Sequence, residues 1–547
     1  MNGFFYIVQH GKEDNKTALT NGGCLADFAP DGAICALTGG RILSLAAVPH
    51  QGARVQFLFP REDELASRVF LRGAVFLLYV AAKELYPQRT LVVEHLLCGG
   101  AYCTLGDIKQ DEIVALSQRI DTYIAADAPF VQSVVSPEDA KSIYRAQGMV
   151  YKTALLEDRP CDDCKMYAFG EYKNYLFGAM PKSAGYLSDM RLKPYMGGLI
   201  LKYPAPYREP KTPIVRQSKY SAVFRQAEQW AQMLGVSYVT ELNDTMRSGK
   251  ITDIIRVNEA LHEKTIADIA SEIASDERRR VVLIAGPSSS GKTTFASRLR
   301  VHMQAIGKKS RVISLDNYYR DRDDIPVGAD GRPDFECLEA LDIGRLGSDL
   351  KKLISGETVQ LPVFDFITGK RSAETMAVNA DGEILILEGI HGLNDKLTAD
   401  VASAHKFKIF ISPLTTLNLD DHNIVIPEDV RLLRRLVRDQ RTRGYTFAQT
   451  FELWDSVRRG EFAHILPYQE TADVMFNSTL VYEPLVLKKY AALPLSLITA
   501  DMPCYARAHG LLKILNIFSS LDDESEVPIN SILREFIGKI GDEKSTH

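Results

Sequence analysis

The octapeptide Gly286-Pro287-Ser288-Ser289-Ser290-Gly291-Lys292-Thr293 has the spacing G-x-x-x-x-G-K-[ST]. That pattern suits phosphate, because glycines let the backbone curve around an anion while main-chain N–H groups supply donors. The apolar run from Val281 to Ala285 precedes it and a helical stretch from Thr293 to Leu299 follows. A buried strand, a loop and a helix N-terminus are therefore expected to converge on one point. In that frame Gly286, Ser288, Ser289, Ser290, Gly291 and Thr294 line the phosphates of a nucleotide. Lys292 reaches the β and γ phosphates, and the Thr293 hydroxyl ligates Mg²⁺. A loop that merely turned the chain would need neither the Lys-Thr pair nor the flanking elements.

Two carboxylates fall where such a site needs them. Asp316 follows the apolar run from Val312 to Leu315, and Glu388 follows the run from Ile384 to Leu387. In an open α/β sheet ligands lie at the carboxyl ends of strands. Either residue could hold Mg²⁺, and either could take a proton from an attacking hydroxyl. A third element is basic: Arg431, Arg434, Arg435 and Arg438 follow helical spacing, with Arg441 and Arg443 beyond them. Read alone, this is a solvated or RNA-binding helix face; beside a phosphate loop it reads as a lid whose cations spread transition-state charge.

These groups need a scaffold, and the chain has room for several units in its 547 residues. Short apolar runs at 311–315, 383–387 and 407–411 alternate with helical stretches, which predicts a parallel sheet covered on both faces, hence an α/β fold. Residues 1–61 read as a small β-rich domain and 62–205 as an α+β domain, with helices expected at 66–85, 114–126 and 137–147. The stretch from Tyr203 to Pro213 holds four prolines and reads as a linker. Residues 206–275 form this linker and a helical segment, 276–490 the nucleotide-binding domain, and 491–547 a C-terminal segment. Residues 530–538 of that segment have helical apolar spacing and are expected to dock on the core.

The bulk composition narrows the class. Hydrophobic residues make up 46% and charged residues 25%, and the formal net charge is −5, so no global basic surface marks a nucleic-acid or membrane binder. The eight scattered cysteines read as reduced thiols, which suits a cytoplasmic protein. No apolar run approaches the length needed to span a bilayer, and the first residues lack the basic start of a secretory signal, so a soluble, unprocessed protein is expected.

The succession of Gly286–Thr293, Asp316-Asn317-Tyr318-Tyr319, Pro362-Val363-Phe364-Asp365-Phe366, Glu388-Gly389-Ile390, and Arg434-Arg435 with Arg438-Asp439 and Arg443-Gly444 resembles the uridine kinase and phosphoribulokinase family of P-loop kinases. The resemblance covers roughly residues 278–480. It implies ATP- and Mg²⁺-dependent phosphoryl transfer to a nucleoside or sugar hydroxyl, with Asp316 as general base, Glu388 and Thr293 at the metal, and Arg438 and Arg443 closing over the phosphates. Tyr319, Glu336, Phe364 and Arg435 fall at acceptor-pocket positions. The chain departs from uridine kinases at Phe364, Gly369 and Tyr445, where the family has tyrosine, histidine and arginine; Glu336 replaces an aspartate.

The N-terminal 205 residues resemble the TGS and editing domains of threonyl-tRNA synthetases. The segments that carry this likeness are Glu94-His95-Leu96-Leu97-Cys98-Gly99-Gly100, Pro137–Ala140 with Gln147-Gly148, and Ser183–Leu187. The likeness implies RNA contact or regulation. The histidine pair of the editing chemistry is missing, so hydrolytic editing is not expected. Cys161 and Cys164 read as ordinary thiols, a zinc site requiring a second pair. Three functions stay open: a nucleoside 5′-hydroxyl kinase, a sugar-phosphate kinase, and an ATP-switched RNA-binding regulator. The acceptor and the oligomeric state are left undecided.

Overall fold

The computed structural model describes residues 4–9, 12–18, 23–97, 99–158, 161–208, 217–328, 331–365 and 368–538. Cys98, Phe366 and the linker residues 209–213 lie outside them. The C-terminal half is built on a five-stranded parallel sheet in the order Ser310–Ser314, Ile384–Glu388, Val281–Ala285, Lys406–Ser412, Val474–Asn477. Its first strand in sequence lies at the centre, and all five of its residues are buried. The continuous β-branched and leucine runs follow from that position, since helices cover both faces and neither face can be polar.

The helix Lys292–Ala305 leaves the central strand and packs through Phe295, Ala296, Leu299 and Met303. The helices Val239–Arg247 and Ile251–Ala274 join the same apolar core, and so do Leu485, Leu511, Ile532 and Phe536 from the C-terminal region. The tail between 530 and 538 forms only a four-residue helix, Arg534–Ile537, because turns occupy the residues before it and Gly538, at φ +81°, ends it.

The N-terminal half contains antiparallel sheets. One has the strand order Lys12–Ala18, Phe4–Gln9, Arg54–Leu58, Cys35–Thr38, Arg41–Ser44, its one parallel pair being between the second and third. A four-stranded sheet (Val92–Leu97, Gly100–Thr104, Arg191–Tyr195, Gly198–Lys202) and a three-stranded one (Val131–Val135, Cys164–Phe169, Tyr172–Asn174) surround the helix Glu64–Leu85. By length and composition that helix is apolar enough to cross a bilayer, contrary to the reading that no segment is; 78% of its apolar window is buried inside the protein. It is a core helix, and its apolarity follows from being packed on all sides.

The two halves are keyed together by charge. Arg68 on the core helix pairs with Asp429 at 2.7 Å and with Glu64, which also meets Arg507. Lys152 pairs with Asp420 at 2.7 Å, both side chains buried. His95 is stacked on Phe224, ring centroids 3.7 Å apart, with Nδ1 3.2 Å from Glu228. That histidine fastens the linker-proximal helix Ser218–Leu234 to the N-terminal sheet.

Candidate active site

Strand register brings the chemistry together. Glu388 sits opposite Ile284 on the central strand and opposite Ser314 on its other neighbour. It therefore lies two residues before the phosphate loop on one side and two before Asp316 on the other. A parallel sheet puts all these carboxyl ends on one edge, so residues more than a hundred apart in sequence share a site.

The loop is shaped for an anion. A Cβ on Gly286 would lie 2.0 Å from the Ile411 carbonyl oxygen, which no neighbour could relieve, and Gly291 turns the chain at φ +88°. Ser289 holds a left-handed φ of 60°, and the hydroxyls of Ser289 and Ser290 are buried without a partner. Lys292 Nζ donates to the carbonyls of Gly286 and Pro287 at 3.0 and 3.2 Å, folding over the loop. These features fit a polyphosphate.

The acids meet the lysine here. The Thr293 hydroxyl donates to Glu388 Oε1 at 3.3 Å, and both would hold a divalent cation. Burial, with Asp316 beside it, pushes Glu388 up to about 7, while Lys292 pulls it back. Asp316, on the 3₁₀ turn Leu315–Tyr318, is likewise raised by burial, against Lys292, Arg443 and Arg438. Burial lowers Lys292, while Glu388, Asp316 and Glu535 hold its proton. The arrangement puts two buried carboxylates and a lysine within one another's field beside the loop.

The arginine helix, Pro427–Thr442, departs from the lid reading. It is largely buried, with Arg431 and Arg434 fully enclosed. Arg434 forms a bidentate pair with Glu483 at 2.6 and 3.0 Å, and Arg431 pairs with Glu461. Their remaining N–H groups face the carbonyls of Ser288 and Ser289 at 3.4 Å, so both brace the loop from behind. Arg435 donates to the Ser288 hydroxyl at 2.7 Å. Arg435, Arg438 and Arg443 gather around Asp439 at 3.2, 2.9 and 3.6 Å. Burial opposes ionisation of Asp439, but the three arginines outweigh it and hold its carboxyl low. Sequence reasoning quoted Asp439 without a role; the signal was its i+4 spacing from Arg435 and its adjacency to Arg438. Glu461 and Glu483 carried no such signal, because they lie on other elements.

The residues expected on the acceptor side also lie together. Phe364 and Tyr319 are buried with ring centroids 5.6 Å apart, and Tyr319 donates to the Phe335 carbonyl at 3.0 Å. Glu336 lies against Gly460, where an added Cβ would be 2.2 Å away, and its Oε2 is buried without a partner. Burial pushes Glu336 up to about 7, Arg435 opposing. Thr294 is engaged by Glu535 from the tail, through its N–H and its hydroxyl.

The model of the phosphoribulokinase / uridine kinase family matches residues 281–481. Uridine kinase of Deinococcus deserti is 31% identical over 206 residues, 37% of this chain and 90% of that one. Uridine kinase of Proteus mirabilis is 30% identical over 198 residues, 36% of this chain and 85% of that one. Among solved structures, one described as a possible uridine kinase from Bacillus stearothermophilus covers 39% of this chain and 98% of its own, at 20% identity and a TM-score of 0.27. A relative matched over nine-tenths of its length, through the strands and loop that form this site, means that the C-terminal half of the chain belongs to the phosphoribulokinase / uridine kinase family.

Proposed function

We propose that the protein transfers the terminal phosphoryl group of ATP to the 5′-hydroxyl of a nucleoside. The observation that carries this reading is the meeting of Lys292, Asp316 and Glu388 beside the phosphate loop. Asp316 takes the proton of the acceptor hydroxyl, and its raised pKa brings it nearer the strength a base needs at neutral pH. Lys292 and the arginines around Asp439 offset charge on the transferred group, which is the main demand of phosphoryl transfer. Thr293 and Glu388 would hold Mg²⁺, which when bound neutralises phosphate charge. Glu336 offers an acceptor oxygen for a ribose hydroxyl, between Phe364, Tyr319 and Gly460.

A second acceptor class, a phosphorylated sugar, has one observation in its favour. The exposed Arg322 guanidinium fills the space a side chain at Gly369 would take, 2.8 Å from its Cβ position. A cation there suits an anionic acceptor. For the N-terminal half we propose a TGS-like and a synthetase editing-like unit that contact RNA or regulate the kinase in the cytoplasm.

The test is a phosphorylation screen of the full chain with ATP and Mg²⁺ against nucleosides and sugar phosphates, beside Lys292→Met and Asp316→Asn. Product in wild type only is expected. Full activity in either variant refutes the assignment, and tRNA retention with ATP hydrolysis but no phosphorylated acceptor favours a nucleotide-switched RNA binder.

A further inference from the structure

The segment after Val527 lies outside the residues matched to the family, yet it reaches the phosphate loop. Ser531, Ile532, Leu533, Phe536 and Ile537 are buried in the core. The Arg434 guanidinium covers the Phe536 ring at 5.1 Å, and Arg534 donates to the carbonyls of Glu524 and Val527 at 2.9 and 2.8 Å. Ile532 packs so closely on Gly291 that an added Cβ would stand 2.5 Å from its Cγ2. The segment is thus anchored as one wall of the loop.

From this wall Glu535, half-buried, extends to the start of the loop helix. Its Oε2 accepts from the Thr294 N–H at 3.2 Å and from the Thr294 hydroxyl at 2.9 Å. Thr294 is the third residue of the helix, and its N–H is one of the donors that a helix N-terminus has free for an anion. A single N–H cannot serve a carboxylate and a phosphate together, and two anions drawn to the same donors repel each other.

We propose that Glu535 is a residue of the nucleotide site that competes from within: its carboxylate holds the Thr294 donors, and a nucleotide phosphate that takes them must turn it aside. The inference rests on the nucleotide-binding reading given above. Because the flanking residues are buried, the change is a swing of one side chain with the segment remaining in place. Glu535 therefore sets the affinity for nucleotide, and it discriminates by the phosphate and not by the base.

The experiment is calorimetric titration of the full chain with ATP, inorganic tripolyphosphate and adenosine, for wild type, Glu535→Gln and Glu535→Asp. Asp keeps the charge but is one methylene short of Thr294; Gln keeps the length but loses the charge. Loss of the charge-assisted bonds in both variants is expected to lower the Kd for ATP and for tripolyphosphate by about tenfold, leaving adenosine unchanged. Equal ATP affinity in all three proteins overturns the inference alone. A gain in Gln without one in Asp also overturns it, since charge repulsion at a distance would then suffice. Binding of neither ATP nor tripolyphosphate by any of the proteins overturns both this inference and the function on which it rests.

Discussion

Replacing Glu388 by glutamine should make the protein more stable at alkaline pH and, on the function proposed above, remove Mg²⁺-dependent turnover. The carboxyl is buried beside Asp316, and its pKa rises from 4.5 to about 7 despite Lys292. In the unfolded chain it ionises near 4.5, so between that pH and 7 the unfolded state loses a proton that the folded state keeps. Stability contributed by the protonated form is complete below about 4.5 and is lost as pH rises through about 7. At 1.36 kcal/mol for each pH unit, the loss is on the order of 3 kcal/mol by pH 8. Glutamine does not titrate, so Glu388→Gln and wild type should diverge as pH rises. About 2 kcal/mol of that loss falls between pH 5.5 and 8, so in a calorimetric pH series the variant's melting temperature relative to wild type should increase by about 2 degrees over that range. A difference that stays constant or shrinks refutes the burial argument. Full turnover with Mg²⁺ in the variant refutes the role given to the carboxylate.

Asp316→Asn should lower kcat by about 10³ while ATP affinity stays close to that of wild type, measured by single-turnover kinetics and titration. In wild type the acid limb of kcat/KM should lie above the usual carboxylate range, because Asp316 must lose its proton and burial resists that. A limb at or below pH 4 would contradict this. Gly286→Ala should destabilise by about 1–3 kcal/mol and weaken ATP binding, read by denaturant melts and titration, since its Cβ would meet the Ile411 carbonyl at 2.0 Å. Arg434→Met should cost about 3–5 kcal/mol by leaving Glu483 buried without its partner, whereas Arg434→Met with Glu483→Leu should recover most of it. If the double variant is no more stable than the single, the cost lies in packing and not in the unpaired charge.

Much of the candidate site was legible along the chain because it is made of local signals. An apolar run followed by a glycine-rich turn and Lys-Thr is contiguous, and Asp316 and Glu388 each close an apolar run of their own. Helical spacing likewise placed the arginines of 431–438 on one helix. It could not say what faced that helix. Arg431 and Arg434 read as free cations because Glu461 and Glu483 approach from elements 30 and 49 residues away. The core helix Glu64–Leu85 was legible as a buried helix over 66–85, but not as one apolar enough to cross a bilayer, because Arg68 and Arg72 interrupt the run; the pairing of Arg68 with Glu64 and Asp429 makes that charge tolerable inside.

The sequence by itself therefore determined the set of groups: a phosphate loop, two strand-end carboxylates and a supply of arginines, all written in residue types at fixed spacing. The tertiary structure decided which of those groups are available. Charge pairing across distant elements withdraws Arg431 and Arg434 into bracing the loop, gathers Arg435, Arg438 and Arg443 on Asp439, and brings Glu535 to Thr294. Those pairings depend on how helices and the C-terminal segment pack against the sheet edge, and no local periodicity encodes that.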